Sequence, residues 1–408
     1  MRDPTEIVIV SALRSPVGKL NGALASFSAA DLSVFLIKEI LKKCNLNPAK
    51  ISEVIIGQVL TAGQGQNPSR IASVKSGIPY ETPAYLVNMV CGSGLKSISL
   101  AYNSLKLDND GIIVAGGQES MSKAPYSADI RNGVKLGDTT FNDIIIKDGL
   151  TDPFNNIHMG VTAENVAKKY HISRVMQDEF ALRSQLKYQL AHNNKYFDDE
   201  MLTIEIPSRK GAIKISQDEH PKINCTIEEL NKLKPVFIKS EEGGTVTAGN
   251  ASGINDGAAI VLLMSLNKAI ESNLRPLVRI VACAEYGVDP SIMGIAPVGA
   301  VKKAVEKAKW KLDEIDLFEL NEAFASQSIA VIQELGISPE KVNVNGGALA
   351  LGHPIGASGA RIMVTLIHSL NRLQKIEPTK PLKGLAALCI GGGMGIAVCI
   401  ETLPDVCI

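Results

Sequence analysis

The chain carries the same order of predicted secondary-structure elements twice, and this internal repeat restricts the possible folds more than any other feature of the sequence. Predicted strands and helix starts near positions 7, 54, 91 and 114 recur near positions 278, 316, 356 and 389, so matching points lie 262 to 275 residues apart. Two copies of an alternating strand–helix series predict a mostly parallel sheet with helices on its faces. We therefore expect an α/β protein made of two similar halves that pack against each other.

Hydrophobic periodicity and glycine turns predict the elements of each copy. In the first copy the predicted strands are 7–11, 54–58, 85–89 and 112–117, and the predicted helices are 30–44, 68–76 and 91–105. In the second copy the predicted strands are 277–283, 316–319, 341–344 and 385–390, and the predicted helices are 298–308, 323–334 and one that opens at 357.

The final strand of each copy predicts where the chain is interrupted. In the second copy this strand, 395–400, follows directly, whereas in the first copy it is delayed to 258–264. The delay predicts an insertion with helical periodicity around 163–193. We expect a first half at 1–120 that is completed by 251–275, an inserted loop domain at 121–250, and a second half at 276–408.

Composition excludes several classes of protein. The 408 residues include 42 basic and 42 acidic side chains and only 4% aromatic residues, which does not favour a nucleic-acid partner. Seven cysteines without a C-x-x-C pair argue against a disulfide framework or a metal cluster. The uncharged run 384–400 is short for a membrane span and contains three consecutive glycines, so it predicts two buried strands joined by a tight turn.

Cys91 lies between a predicted strand and a helix that Gly92-Ser93-Gly94 opens. A helix N-terminus carries free N–H groups and partial positive charge, so we expect it to lower the pKa of this thiol and to favour the thiolate. The glycines would let a substrate carbonyl approach closely. The alternative is a buried cysteine before a glycine-rich helix cap.

His353 occupies the matching place in the second copy, between Gly352 and Pro354. If the two halves are related by a pseudo-twofold axis, His353 and Cys91 face one cleft. An imidazole within hydrogen-bonding reach could take the proton of the thiol. Taken alone, an ordinary loop histidine is an equally good interpretation.

Two further segments could contribute polar groups to the same cleft. Cys389 ends a predicted strand, and the backbone N–H groups of the glycines that follow, from Gly391 onward, could face a developing oxyanion. A strand rather than a helix follows them, which argues against a dinucleotide-binding loop. Asn321 separates a strand from a helix, either as a helix N-cap or as an amide that positions water. Two thiols, an imidazole and an amide predict carbon–carbon bond formation or cleavage through an acyl-cysteine.

In this order the motifs resemble the thiolases, and among them the short-chain biosynthetic type. The matching segments are 90–94, 116–122, 158–160, 248–258, 321–324, 352–354 and 389–393. The resemblance implies a five-layer αβαβα core from two similar halves, with a loop domain inserted in the first half. It also implies a reversible Claisen condensation of two acetyl-CoA to acetoacetyl-CoA and coenzyme A, and the reverse thiolysis, through an acetyl-cysteine in a ping-pong mechanism.

The resemblance also implies a role for each candidate catalytic residue. Cys91 is the acylated nucleophile, His353 activates it, and Cys389 is the acid/base at the alpha carbon. Asn321 holds a water that forms one oxyanion hole with His353, and the backbone N–H groups of Cys91 and Gly391 form the other. No metal or other cofactor is expected, since coenzyme A is itself substrate and product.

Coenzyme A is expected to bind mainly to the inserted loop domain. By the resemblance, the pantetheine contacts are Ser252, His158, Met159, Ala323 and Phe324, and the path toward the nucleotide is lined by Leu150, Ala248 and Phe237. Lys222 stands where an arginine is usual on the adenine side, and a lysine lacks the planar guanidinium that could stack on the base.

The resemblance carries further expectations on assembly, location and alternatives. We expect a cytoplasmic homo-oligomer, a tetramer formed as a dimer of dimers through the segment 124–138, with no nucleic-acid or membrane partner. One alternative is a degradative 3-ketoacyl-CoA thiolase of broader chain length, against which His158 and Met159 argue. A second is a decarboxylating condensing enzyme, against which Cys389 and the glycines 391–393 argue. A third is a catalytically inactive lipid-binding protein on the same fold, against which the intact Cys91, His353 and Cys389 argue.

Overall fold

The computed structural model describes residues 3–206 and 211–404. The first half contains β1 (Ile7–Arg14), β2 (Gly18–Lys19), α1 (Ala29–Lys43), β3 (Glu53–Gly57), α2 (Pro68–Lys75), β4 (Ala84–Val87), α3 (Ser93–Leu107) and β5 (Ile112–Ser120). The next segment contains β6 (Tyr126–Ser127), β7 (Asn142–Asp143), β8 (Thr151–Asp152), β9 (Ile157–His158), α4 (Met159–Lys169), α5 (Arg174–Asn193), β10 (Ile204–Ile206), β11 (Ile213–Ile215), α6 (Ile227–Asn231), β12 (Asn255–Ser265) and α7 (Leu266–Glu271). The second half contains β13 (Val278–Gly287), α8 (Ala296–Ala308), β14 (Leu317–Leu320), α9 (Ala325–Leu335), α10 (Ala348–Leu351), α11 (Ile355–Gln374), β15 (Lys383–Ile390) and β16 (Met394–Thr402).

The longer strands form two matching groups, and one edge strand of each group pairs with the other. Their order is β14-β15-β16-β13-β1-β12-β5-β3-β4, with β2 added beside β12. The two groups join where β1 pairs with β13, through Val8 with Arg279 and Ile9 with Val278. The delayed strand β12 lies between β1 and β5, so it completes the group of the first half.

Three separate apolar clusters divide the molecule into five layers. The middle cluster holds α3 and α11 between the two strand groups, with side chains such as Leu95 and Ile362. A second cluster packs α1 on the outer face of the first group, and a third packs α8 and α9 on the outer face of the second. Because successive strand residues point to opposite faces, Ile55 of β3 joins the middle cluster while Val54 and Ile56 join the outer one. The expected αβαβα core is confirmed.

The two central helices cross at glycines that leave no room for side chains. A Cβ atom at Gly94 of α3 would lie 2.8 Å from the backbone nitrogen of Ala360, and one at Gly359 of α11 would collide with the backbone of Leu95. Such close contact brings the N-termini of α3 and α11 together. Since Cys91 precedes α3 and His353 precedes α11, this crossing determines that the two residues meet.

The segment between β5 and β12 covers one side of this core. Arg14 of β1 is fully buried and binds Glu200 at 2.6 Å and Asp218 at 2.7 Å, two carboxylates of that segment. Ser184 of α5 donates to Glu322 of the second half at 2.7 Å. The segment is therefore fastened to both halves through buried polar groups, whose charges are compensated by their partners.

The structure corrects three sequence predictions. The sheet is not mostly parallel, because only β3/β4, β3/β5 and β14/β15 pair in parallel and the other neighbours are antiparallel. Strands joined by a short hairpin must be antiparallel, as β15 and β16 are around the turn 391–393. The strand predicted at 341–344 is reduced to one bridge between Phe318 and Val342. The helical periodicity predicted around 163–193 is confirmed by two helices, α4 and α5, whereas the helix predicted from 323 begins at Ala325.

The apolar run 384–400 forms the predicted hairpin of buried strands. Within the described ranges, no helix has both the length and the apolar character needed to cross a membrane.

Candidate active site

The N-termini of α3 and α11 and the end of β15 meet at a cavity of about 300 Å³. Cys91, His353 and Cys389 all line it, although the sequence places them in three separate segments. All eight residues expected at the pantetheine and along the path to the nucleotide also line it: Leu150, His158, Met159, Phe237, Ala248, Ser252, Ala323 and Phe324. Asn321, Gly391 and Lys222 are not part of the lining.

Cys91 lies at the start of α3, in a turn that faces the end of β15. The backbone N–H of Gly391 is directed at its sulfur. Burial raises the pKa of the Cys91 thiol to about 11, although the N–H groups of Gly391 and of Cys91 itself act to lower it. The prediction of a lowered pKa is therefore wrong for the free thiol, because loss of solvation outweighs the helix terminus. The neutral thiol needs a base before it can act as a nucleophile.

His353 has one ring nitrogen bound and one free. Its Nδ1 lies 2.6 Å from the Ser358 hydroxyl, which can itself donate to the carbonyl of Pro354 at 2.9 Å. When the hydroxyl donates to Pro354 it accepts a hydrogen bond from Nδ1, and this tautomer carries the ring proton on Nδ1 and the lone pair on Nε2. Nε2 is buried without a protein partner, and burial together with Arg361 lowers the pKa of His353 to about 3. The imidazole is therefore neutral near pH 7 and can accept a proton at Nε2.

Cys389 is the second thiol of the cavity, at the end of β15. It is buried, and burial raises its pKa further than that of Cys91. The second cause of this increase is repulsion from the Cys91 thiolate, so the two sulfur atoms are close enough to influence each other's charge.

Asn321 lies behind the histidine ring rather than in the cavity wall. Its amide nitrogen is 3.4 Å from His353 Nδ1, and its Oδ1 is buried without a protein partner. Helix α9 begins four residues later, at Ala325, with Phe324 as its N-cap. The N-cap interpretation of Asn321 is therefore wrong, and its amide faces the site instead.

The cavity walls are mainly apolar and are held by aromatic contacts. The ring of His158 stacks on Phe237 at a centroid distance of 4.7 Å, and Phe237 meets Phe324 edge to face at 6.5 Å. Ser252 is fixed by its backbone N–H, which donates to Ala323 at 3.0 Å. These contacts join three separate segments into a wall suited to a slender, largely apolar chain that carries a few polar groups.

Models of known families match almost the whole chain. The thiolase N-terminal domain matches residues 7–267, and the thiolase C-terminal domain matches residues 274–402. The chain belongs to the thiolase family. No group of His, Cys, Asp or Glu among the described residues of this thiolase could hold a metal ion.

Curated relatives are similar over nearly their full length. A rat protein named "Acetyl-CoA acetyltransferase, cytosolic" (Rattus norvegicus) is 51% identical over 97% of this chain and 98% of its own. A Staphylococcus aureus protein named "Probable acetyl-CoA acyltransferase" is 54% identical over 97% of this chain and 99% of its own.

Two solved structures are similarly close. The Bacillus anthracis acetyl-CoA acetyltransferase has a TM-score of 0.93 at 44% identity and covers 98% of this thiolase and 99% of its own chain. The human mitochondrial 3-ketoacyl-CoA thiolase has a TM-score of 0.92 at 42% identity, with 98% and 100% covered. The likeness therefore extends to thiolases with different named substrates.

Lys222 lies apart from the cavity lining of this thiolase. It is exposed, and its backbone N–H donates to Gln185 at 2.9 Å. Its neighbour His220 packs against Gly253, where a Cβ atom would lie 2.7 Å from His220 Nδ1. Burial, Lys19 and Lys222 lower the pKa of His220 to about 4. A group of basic side chains thus stands beside the cavity-lining segment that includes Gly253.

Two site residues were missed by the sequence analysis. One is Ser358, whose hydroxyl orients the His353 ring. The other is Glu119, which is fully buried and accepts hydrogen bonds from the backbone N–H groups of Val59, Leu60 and Gly356 at 2.9 to 3.2 Å. Burial raises the pKa of Glu119 to about 7, against those three donors. Glu119 lies in a motif of the resemblance, at 116–122, and Ser358 follows the motif at 352–354, but only their tertiary contacts distinguish them from their neighbours.

Proposed function

We propose that this thiolase is an acetyl-CoA acetyltransferase, which condenses two acetyl-CoA to acetoacetyl-CoA and coenzyme A and catalyses the reverse thiolysis. The observation that carries the proposal is the meeting of Cys91, His353 and Cys389 in one cavity. The names of the rat and Bacillus anthracis proteins support this choice of substrate. The only substrates required are acetyl-CoA, acetoacetyl-CoA and coenzyme A, with no metal or other cofactor.

The first half-reaction transfers the acetyl group to the enzyme. Nε2 of His353 takes the proton of the Cys91 thiol, and the sulfur attacks the thioester carbonyl. The developing oxyanion accepts hydrogen bonds from the backbone N–H groups of Cys91 and Gly391. These donors are fixed before the reaction and so need no reorganisation. Coenzyme A then leaves with the proton that His353 holds.

The second half-reaction forms the carbon–carbon bond. With Cys91 acylated, Nε2 of His353 takes the proton of the Cys389 thiol, and the resulting thiolate removes a proton from the alpha carbon of the second acetyl-CoA. His353 and a water held by Asn321 stabilise the resulting enolate, which attacks the acetyl-cysteine. The Cys91 sulfur then leaves with the proton that His353 holds. Because Cys91 must carry the acetyl group before the enolate can attack it, the two half-reactions follow a ping-pong order.

The residues that line the cavity support the proposed binding of coenzyme A. The apolar wall around Phe237 and Phe324 fits the pantetheine chain, and Ser252, His158 and Met159 are placed to contact it. Leu150 and Ala248 lie along the path outward. Lys222 is the basic group proposed for the adenine side, although it does not contact the cavity itself.

Isotope transfer tests the assignment of the two cysteines. Radiolabelled acetyl-CoA alone should label the wild type and Cys389→Ala but not Cys91→Ala, and Cys389→Ala should condense poorly. Cys399→Ala is the matched control, since this buried cysteine lies in the outer core of the second half. Normal condensation by Cys389→Ala would exclude the acid/base role of Cys389.

A 3-ketoacyl-CoA thiolase of broader chain length remains a second candidate, because the human mitochondrial structure of that name superposes as closely. Steady-state rates with acetoacetyl-CoA and 3-ketohexadecanoyl-CoA separate the two. A strong preference for acetoacetyl-CoA is expected, and comparable rates would overturn the short-chain proposal. Loss of the acetoacetyl-CoA enolate absorbance on addition of coenzyme A is the direct assay.

The proposed assembly is a homotetramer located in the cytoplasm. The segment around 124–138 and its continuation carry exposed apolar side chains: Tyr126, Ile130, Val134, Leu136 and Phe141. Such a surface is typical of an interface, and the relatives named cytosolic support the location. Light scattering of the purified protein decides the oligomeric state, and a monomer would refute this part of the proposal.

A further inference from the structure

The backbone turn before Cys91 has a conformation that its own residue disfavours. Val90 has a φ of 46°, in the left-handed region. This region is a genuine outlier for a β-branched residue, because the side chain crowds the following carbonyl. Within the described ranges the other non-glycine residues with positive φ are asparagines, histidine or lysines. Surrounding contacts must therefore hold Val90 in place.

The side chain of Ser93 makes two of those contacts. Its hydroxyl accepts the backbone N–H of Met89 at 2.8 Å and donates to the carbonyl of Val90 at 2.6 Å. A third contact comes from Asn88, whose Oδ1 accepts the N–H of Val90 at 2.9 Å. Ser93 is fully buried and does not line the cavity. Its hydroxyl therefore acts on the turn rather than on a bound substrate.

The bond to the Val90 carbonyl has a consequence for the N–H of Cys91. The two groups belong to the same peptide unit, which is planar and trans. Fixing the direction of the Val90 carbonyl therefore fixes the direction of the Cys91 N–H on the opposite side. In the proposed mechanism this N–H is one of the two donors to the oxyanion.

Packing against the second half makes the position of the turn sensitive to small shifts. A Cβ atom at Gly92 would collide with the side chain of Ile390, and Val90 Cγ1 lies 3.4 Å from the place of a Cβ atom at Gly391. The turn thus rests directly on the residue that supplies the other oxyanion donor. A rotation at Val90 would change the distance between the two donors.

We propose that Ser93 is a positioning residue, which holds the strained turn at Val90 and thereby aims the sulfur and the N–H of Cys91 at the substrate carbonyl. This inference rests on the proposed function, in which Cys91 is the nucleophile. The hydroxyl makes no contact with substrate, so it acts only through Cys91.

Steady-state thiolysis by Ser93→Ala tests the proposal against a matched control. We expect kcat to fall by about 10- to 100-fold, the size typical of a misplaced catalytic group, while KM changes less than about twofold. Ser97→Ala is the control, because Ser97 is also buried on α3 and bonds Gly94 at 2.8 Å and Gly116 at 2.6 Å without touching the turn. It should lose thermal stability but keep kcat. Wild-type kcat in Ser93→Ala would overturn the proposal.

A double-mutant cycle with Val90→Gly isolates the strain. Glycine adopts a positive φ without cost, so the turn should persist without the hydroxyl. Ser93→Ala should then lower kcat much less in the Val90→Gly background than in the wild type, and this comparison remains possible if Ser93→Ala alone folds poorly. An equal loss in both backgrounds would refute the role of strain. Inactive wild type and inactive Ser97→Ala would instead refute the proposed function.

Discussion

The two halves of the molecule bring matching turns to one place, but a different kind of group lies opposite each turn. The turn of Cys91 faces the end of β15, where the backbone N–H of Gly391 points at the sulfur. The turn of His353 faces the end of β5, where the carboxylate of Glu119 accepts the N–H of Gly356 at 2.9 Å. The first arrangement directs its donor at the reactive sulfur, where an oxyanion can develop, whereas the second occupies the donor with a protein carboxylate. The comparison explains how a repeated fold can hold one reaction site rather than two.

The largest expected effect comes from removing His353, the proton acceptor in the second of the two turns. His353→Ala should lower kcat for thiolysis by about 10²- to 10⁴-fold, because the neutral Cys91 thiol then has no base. Ser358→Ala keeps the ring but loses the bond that assigns its proton to Nδ1, so its loss should be smaller. If Ser358→Ala were as inactive as His353→Ala with both proteins folded, the hydroxyl would have a role of its own.

A second effect tests the close packing of the histidine turn against the first half. A Cβ atom at Gly117 would collide with the carbonyl of Gly356 and lie 2.9 Å from Cα of Ala357. Gly117→Ala should therefore lower the free energy of unfolding by about 3 kcal/mol, at the upper end for overpacking because backbone rather than a flexible side chain must move. Denaturant titration measures the change, and an unchanged midpoint would mean that the two turns can separate freely.

A third effect concerns the charge of Glu119. Its pKa is raised from 4.5 to about 7 in the folded protein, so the folded state binds the proton more tightly than the unfolded state. The wild type should then lose roughly 2 kcal/mol of unfolding free energy between pH 5 and pH 7 that Glu119→Gln does not lose. Denaturation of both proteins across this range checks the sign. Parallel pH profiles would show that the three N–H donors fully compensate burial.

The smallest expected effect on stability is at Gly391, which lies after β15 and faces the turn of Cys91. A Cβ atom at Gly391 would meet only Val90 Cγ1 at 3.4 Å and Met159 Sδ at 3.5 Å. Gly391→Ala should therefore change the free energy of unfolding by less than about 1 kcal/mol, within the range of well-accommodated substitutions. Thermal unfolding beside Gly117→Ala gives the contrast directly. Equal destabilisation by the two substitutions would remove the packing difference between the two turns.

Much of the architecture follows from local patterns. The repeat, the delayed strand β12 and the hairpin in 384–400 were predicted because periodicity and glycines are properties of short segments. The strand at 341–344 was wrong because pairing needs a partner, and only Val342 finds one, in Phe318. The parallel sheet was wrong for a related reason, since strand direction depends on which distant segments become neighbours.

The site shows the same division. The candidates Cys91, His353 and Cys389 were found from their positions beside glycines at the ends of predicted strands and helices, and the structure brings them to one cavity. The pKa of Cys91 was misjudged because the helix terminus is visible in sequence and the surrounding burial is not. Glu119 was not singled out because an acidic residue at the end of a strand is ordinary until its three N–H donors are known.

The sequence by itself determined the two-copy plan, the family and the side chains available for chemistry, because these depend on residue types and their local order. Only the tertiary structure decided that α3 and α11 cross at glycines, which of the two turns has N–H groups directed at a reactive sulfur, and which ring nitrogen of His353 lacks a protein partner. These properties depend on distances and solvation between segments that are far apart in the chain. No local pattern encodes them.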